Sequence, residues 1–253
     1  MKRHKDLAVF LLCAFLIPAV ALGAQSLTGN AALRFVLYGI QAASPTISAL
    51  IVFIMNGQLA EKIGGMFSRG HIPAAILLPP LTVCAVMFPA KTVYCIVTGT
   101  AFETGDITSA RLIILLWALI AEEIGWRGFL APKLMEYGAD RRLIPLITGA
   151  IWCLWHYHFF IQGSIDVPIP LFFAGCVIES YIYAFFMELT CGNILSAMMY
   201  HFSWNLFLHI AAVGPSENGG SIMPYLLMVM IEAVITAVIL IYGLKSGGKD
   251  SPE

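Results

Sequence analysis

The run Arg111-Leu-Ile-Ile-Leu-Leu-Trp-Ala-Leu-Ile-Ala121-Glu122-Glu123-Ile-Gly-Trp-Arg127-Gly-Phe-Leu-Ala-Pro132 sets two carboxylates and a guanidinium inside an otherwise apolar stretch. Nothing in it resembles a solvated loop. Ionisable groups at membrane depth are costly, so they read as a functional site by default. On a helix Glu123 and Arg127 stand four apart and can pair, which lowers the cost of holding either. Glu122 is five residues from Arg127 and about 100° around the helix from Glu123, so it points to a different neighbour. One glutamate has a local partner and the other is free for chemistry.

Working outward, the chain has 253 residues, 59% apolar and 11% charged, with a mean hydropathy of +0.85. A soluble domain carries roughly 25% charged residues. The expected fold is therefore all-α, a polytopic membrane bundle of about eight transmembrane helices with no water-soluble domain. Membrane lipid is its expected surrounding. A net charge of -1 and the lack of a visible basic arm argue against a nucleic-acid partner. The six cysteines, at 13, 84, 95, 153, 176 and 191, form no CxxC pair and read as small buried hydrophobes.

Residues 7–24 follow a basic start and are longer than a signal-peptide core of roughly 7–15 residues, so an uncleaved first span is expected. Further spans are expected near 33–55, 72–90, 111–133, 143–161, 169–189, 193–212 and 222–243, the third weakened by Pro79-Pro80. The short run 92–104 reads as re-entrant or interfacial. Orientation follows from Lys/Arg bias. Lys2, Arg3, Lys5, Lys62, Arg69, Lys133, Arg141, Arg142, Lys245 and Lys249 fall on one side, and Arg34, Lys91 and Arg111 on the other. Both termini are expected to be cytoplasmic, with a disordered tail over the last ten or so residues. The chain divides into N-terminal helices and an interfacial segment (1–110), a polar-bearing core (111–212), and a last helix with its tail (213–253).

Three later spans carry polar residues: Trp152-Cys-Leu-Trp-His156-Tyr-His158, Glu179, and His201-Phe-Ser-Trp-Asn205 with His209 beyond. Counting inward from the cytoplasmic ends puts Glu122 roughly 16 Å deep, His156 roughly 20 Å, and His201 with Asn205 roughly 12–18 Å. Three helices thus offer polar groups to one layer. That set suits hydrolysis, which needs a base for water, donors for an oxyanion and an acid for the leaving amine. Glu122 is the candidate base, His156 can share its water, and His201 and Asn205 can donate to the oxyanion. The same Glu122, His156 and His201 also satisfy a catalytic zinc site with an open position, and sequence alone leaves both chemistries open. His158 faces away from His156 and reads as packing; His209 lies toward the outer side; Glu179 is a candidate cavity-lining residue. Trp152, Trp155 and Trp204 read as core.

At these residues the chain resembles the CAAX-protease and bacteriocin-processing family of intramembrane proteases, which includes the type II CAAX prenyl endopeptidases and the bacterial Abi proteins. The family pattern is EExxxR, then an aromatic-xxx-His, then HxxxN or HxxxB. Here it reads Glu122-Glu123-Ile-Gly-Trp-Arg127, Trp152-Cys-Leu-Trp-His156 and His201-Phe-Ser-Trp-Asn205, covering about residues 110–210. The second motif usually opens with Phe, and Trp152 departs from it at what reads as a packing position. The resemblance implies that Glu122 and His156 activate water and that His201 and Asn205 form the oxyanion hole. It implies that Glu123 and Arg127 hold the site in shape. The family is described both as metalloprotease and as metal-independent, so zinc is the one candidate cofactor. The implied partner is a membrane-bound or lipidated peptide or protein, in some members prenylated, and the implied setting is a bacterial or archaeal cell membrane. Two readings of other classes stay beside it: a proton-coupled transporter, against which no inverted repeat is visible, and a non-catalytic member serving bacteriocin self-immunity.

Overall fold

The computed structural model describes residues 2–67 and 70–243. Arg69, Lys245, Lys249 and the expected C-terminal tail lie outside them, as do the side chains of Lys2 and Arg3. The architecture is all helical. In chain order the helices are α1 (Lys2–Leu27), α2 (Ala31–Met55), α3 (Leu59–Phe67), α4 (Ile72–Thr98), α5 (Ser109–Ala121), α6 (Glu123–Gly125), α7 (Ala131–Glu136), α8 (Ile144–Trp155), α9 (Tyr157–Ile161), α10 (Ile169–Leu189), α11 (Ile194–Ile210) and α12 (Met223–Val238). A π-helical turn, Trp126–Leu130, joins α6 to α7. α1 packs along α2, α4 against α11 and α12, α8 against α10, and α5 against α2 and α11. The outward faces carry Leu12, Leu81, Ile96, Leu154 and Val234, as lipid-facing surfaces do.

Six helical stretches among the described residues are long and apolar enough to cross a membrane: Lys5–Ser26, Ala31–Met55, Ile72–Thr98, Ile144–Ile161, Ile169–Leu189 and Met223–Tyr242. They coincide with six of the eight spans expected from sequence. The seventh expected span is the 17-residue helix α11. The fourth is interrupted at the motif that carries the two glutamates.

Two boundaries differ from expectation. The run 92–104 is not separate: α4 continues unbroken from Ile72 to Thr98, through Pro79, Pro80 and Pro89. Where water is scarce the backbone has few partners except its own helix, and α11 and α12 brace this one. Lys91, which suggests a helix end, is buried instead. Its Nζ donates to the Ala212 carbonyl at 3.1 Å and to Asn218 Oδ1 at 2.6 Å.

The second difference is the break at Glu122, whose backbone (φ -123°, ψ -40°) leaves the helical region between α5 and α6. Two contacts from α2 hold the break. Thr46 Oγ1 donates to the Ile120 carbonyl at 2.9 Å, satisfying a carbonyl near the end of α5. Gly125 lies flat against Pro45, so close that a Cβ would come within 2.5 Å of the Pro45 carbonyl carbon. Gly125→Ala should therefore destabilise by about 1–3 kcal/mol through overpacking, read as a lower melting temperature in detergent. An unchanged melt would mean that α2 does not press on this turn.

Candidate active site

The break turns Glu122 away from the side on which Glu123 meets Arg127. Glu122 is buried, and its Oε2 accepts the Trp152 indole N–H from α8 at 2.7 Å and the Trp126 indole N–H at 3.3 Å. Its Oε1 faces His201 Nε2 at 3.7 Å. The partners expected of a glutamate released from the Glu123–Arg127 pair thus prove to be two indoles and an imidazole.

Glu123 is fully buried, and its Oε1 takes Arg127 Nη1 at 3.0 Å and His201 Nδ1 at 2.7 Å. The pairing expected four residues apart is present. The guanidinium also reaches Ser180 Oγ on α10 at 3.4 Å. It lies 3.5 Å from the Tyr183 ring centroid and 4.8 Å from that of Trp152. Such a flat, delocalised cation suits a site bounded by aromatic faces.

His156 ends α8, where the backbone turns into α9 (φ -69°, ψ 0°). Its Nδ1 lies 2.7 Å from the Trp152 carbonyl. A carbonyl only accepts, so Nδ1 carries the proton and, in a neutral ring, Nε2 carries the lone pair. The imidazole sits among Trp152, Trp155, Phe159 and Phe172, with ring centroids 4.9–5.8 Å away. Trp152 is the link between the motifs. It bonds Glu122 through its indole and His156 through its carbonyl, and its ring meets the His201 ring edge-on at 6.0 Å.

Asn205 lies one turn beyond His201 and is half-buried. Its Nδ2 donates to the His201 carbonyl at 3.1 Å, which occupies one of the two amide protons. The other residues weighed from sequence separate clearly. His158 is fully buried against Trp155 and Phe159, and neither ring nitrogen has a hydrogen-bond partner among the described residues. His209 faces Glu217 at 3.7 Å, away from the motifs. Glu179 is buried on α10 beside Ser180.

Trp152 corrects the sequence reading, which took it as packing alone. Trp126, Ser180 and Tyr183 were not singled out at all. A buried indole N–H needs a partner, and that requirement, with Trp126 four residues after Glu122, was the available signal. Trp155 keeps the structural part expected of it, donating to the Ala14 carbonyl and Ser44 Oγ. For zinc, no group of three or more His, Cys, Asp or Glu side chains among the described residues is arranged as a ligand set.

Residues 104–207, from just before α5 to near the end of α11, match the family model described as Rce1-like: Type II CAAX prenyl endopeptidase Rce1-like. All three motifs lie within that match. No curated protein matches the chain.

Proposed function

From the match of residues 104–207 to the Rce1-like family model of type II CAAX prenyl endopeptidases, we propose that the chain hydrolyses a peptide bond near the C-terminus of a membrane-bound, prenylated peptide. The reaction uses water activated by Glu122 and His156. The observation that carries this reading is the placement of Glu122, anchored by Oε2 on the indoles while Oε1 faces His201.

Glu122 Oε1 takes the proton of the attacking water, and His156 Nε2 accepts the water's second hydrogen bond and aligns it. The peptide carbonyl becomes an oxyanion, which needs donors already in place. His201 Nε2 and the second amide proton of Asn205 supply them. To donate from Nε2 while Nδ1 donates to Glu123, His201 must carry both protons, and the carboxylates of Glu122 and Glu123 balance that charge. Glu122 then returns its proton to the leaving amine. Glu123 orients His201, and Arg127 neutralises Glu123. The polar layer expected from the topology favours entry from the cytoplasmic leaflet.

The test is cleavage, by purified protein in detergent, of a quenched-fluorescent peptide ending in farnesylated Cys-aliphatic-aliphatic-Met. The unprenylated peptide serves as the comparison. Cleavage by the parent and its loss in Glu122→Ala and His156→Ala support the reading. Equal cleavage by both variants overturns the roles, and proton-dependent solute uptake into vesicles without cleavage would point to a transporter. Because this reading activates the water on Glu122 and His156, activity should survive chelation to the point where elemental analysis finds no zinc. Loss on chelation with recovery on adding zinc would reassign the water to a metal.

A further inference from the structure

We infer that Trp126 and Trp152 are positioning residues that clamp one oxygen of Glu122, Oε2, and so commit the other, Oε1, to the reacting water. This rests on the peptidase reading above and adds to it the device that selects the working oxygen. A buried carboxylate with two equivalent oxygens can rotate and offer either, and rotation would spoil a geometry in which a displacement of about 1 Å costs a hundredfold in rate. Here the two oxygens are not equivalent. Oε2 receives two N–H donors, at 2.7 Å and 3.3 Å, from side chains on different elements. Oε1 receives none and faces His201.

The donors are themselves held. Trp126 is fully buried, with its ring edge-on to Trp155 at 5.7 Å and to Phe10 at 5.8 Å. Trp152 is buried, with the Arg127 guanidinium 4.8 Å from its ring centroid and the Tyr183 ring edge-on to it at 5.8 Å. Two rigid indoles thus bring their only polar atoms to one carboxylate oxygen. Trp152 does a second thing: its carbonyl fixes the tautomer of His156. A displacement of this one residue would disturb both groups that face the water. Phenylalanine keeps an aromatic ring, though a smaller one, and has no N–H, so the clamp depends on tryptophan at these two positions.

The experiment has two readouts. The chain has five tryptophans, hence five indole N–H resonances in detergent-solubilised protein labelled with 15N-tryptophan. Single Trp→Phe variants assign them. Replacing the carboxylate in Glu122→Gln should move the Trp126 and Trp152 resonances and leave those of Trp117 and Trp155, which donate to Gly39, Ala14 and Ser44, in place. The second readout is cleavage of the farnesylated peptide. Trp152→Phe should lose kcat roughly tenfold to a hundredfold with KM held. Trp126→Phe, with the longer bond, should lose less, and Trp117→Phe should cleave like the parent.

Five unmoved resonances in Glu122→Gln overturn the clamp. Moved resonances with undiminished kcat in Trp152→Phe overturn its positioning role, as would a loss expressed in KM alone. The resonance test needs only Glu122→Gln to fold once assignments are made, so a poorly folding phenylalanine variant does not spare the proposal. If instead Glu122→Gln cleaves as well as the parent, the peptidase reading fails and takes the positioning role with it. The resonances then still report whether the indoles hold that carboxylate.

Discussion

Glu122→Gln is expected to lower kcat/KM by at least roughly a hundredfold while the protein keeps its fold. Glutamine has the shape of glutamate, and its carbonyl oxygen can accept the Trp126 and Trp152 indole protons in place of Oε2. What it cannot do is take a proton from water and return it to an amine. Its amide N–H₂ would also replace the acceptor facing His201 Nε2. Glu122→Ala is a harsher change, because it leaves two buried indole donors without a partner. Initial rates on the farnesylated peptide, with melting temperatures beside them, separate chemistry from folding. A glutamine variant that melts and cleaves like the parent would remove Glu122 from the reaction.

The largest effect on stability is expected at Arg127. Glu123 is fully buried; its Oε1 is shared between Arg127 and His201, and its Oε2 has no partner among the described residues. Removing one member of a buried ion pair strands the other charge, at a cost of about 3–5 kcal/mol. Arg127→Ala should therefore melt well below the parent or fail to accumulate. The double change Glu123→Gln with Arg127→Leu, which removes both charges, should recover much of that loss. Arg127→Lys should not, since an ammonium cannot lie flat between Tyr183 and Trp152 while reaching Ser180 and Glu123. Thermal unfolding in one detergent decides this. If Arg127→Ala melts like the parent, the pair is not what neutralises Glu123.

Much of this is legible in the sequence. Composition fixed the class, and i to i+4 spacing joined Glu123 to Arg127. The depth count brought Glu122, His156 and His201 to one layer, where hydrogen bonds and ring contacts now join them through Trp152. What escaped was set by partners far away in sequence. The break at Glu122 depends on Thr46 and Pro45 of α2, more than seventy residues upstream. Lys91 reads as a helix end because a lysine in an apolar run suggests an interface, yet its partners are 121 and 127 residues away. Trp152 looked like packing because side-chain type alone does not tell which way an indole N–H points. In each case local pattern set the element, and a single tertiary contact set its boundary or its chemistry.

The most direct test is a double-mutant cycle on kcat/KM combining Glu122→Gln with His156→Ala. Two groups that act on one water form a unit, so the double variant should be no slower than the slower single variant. Losses that multiply would show the two side chains acting in separate steps, and the shared-water account would be wrong.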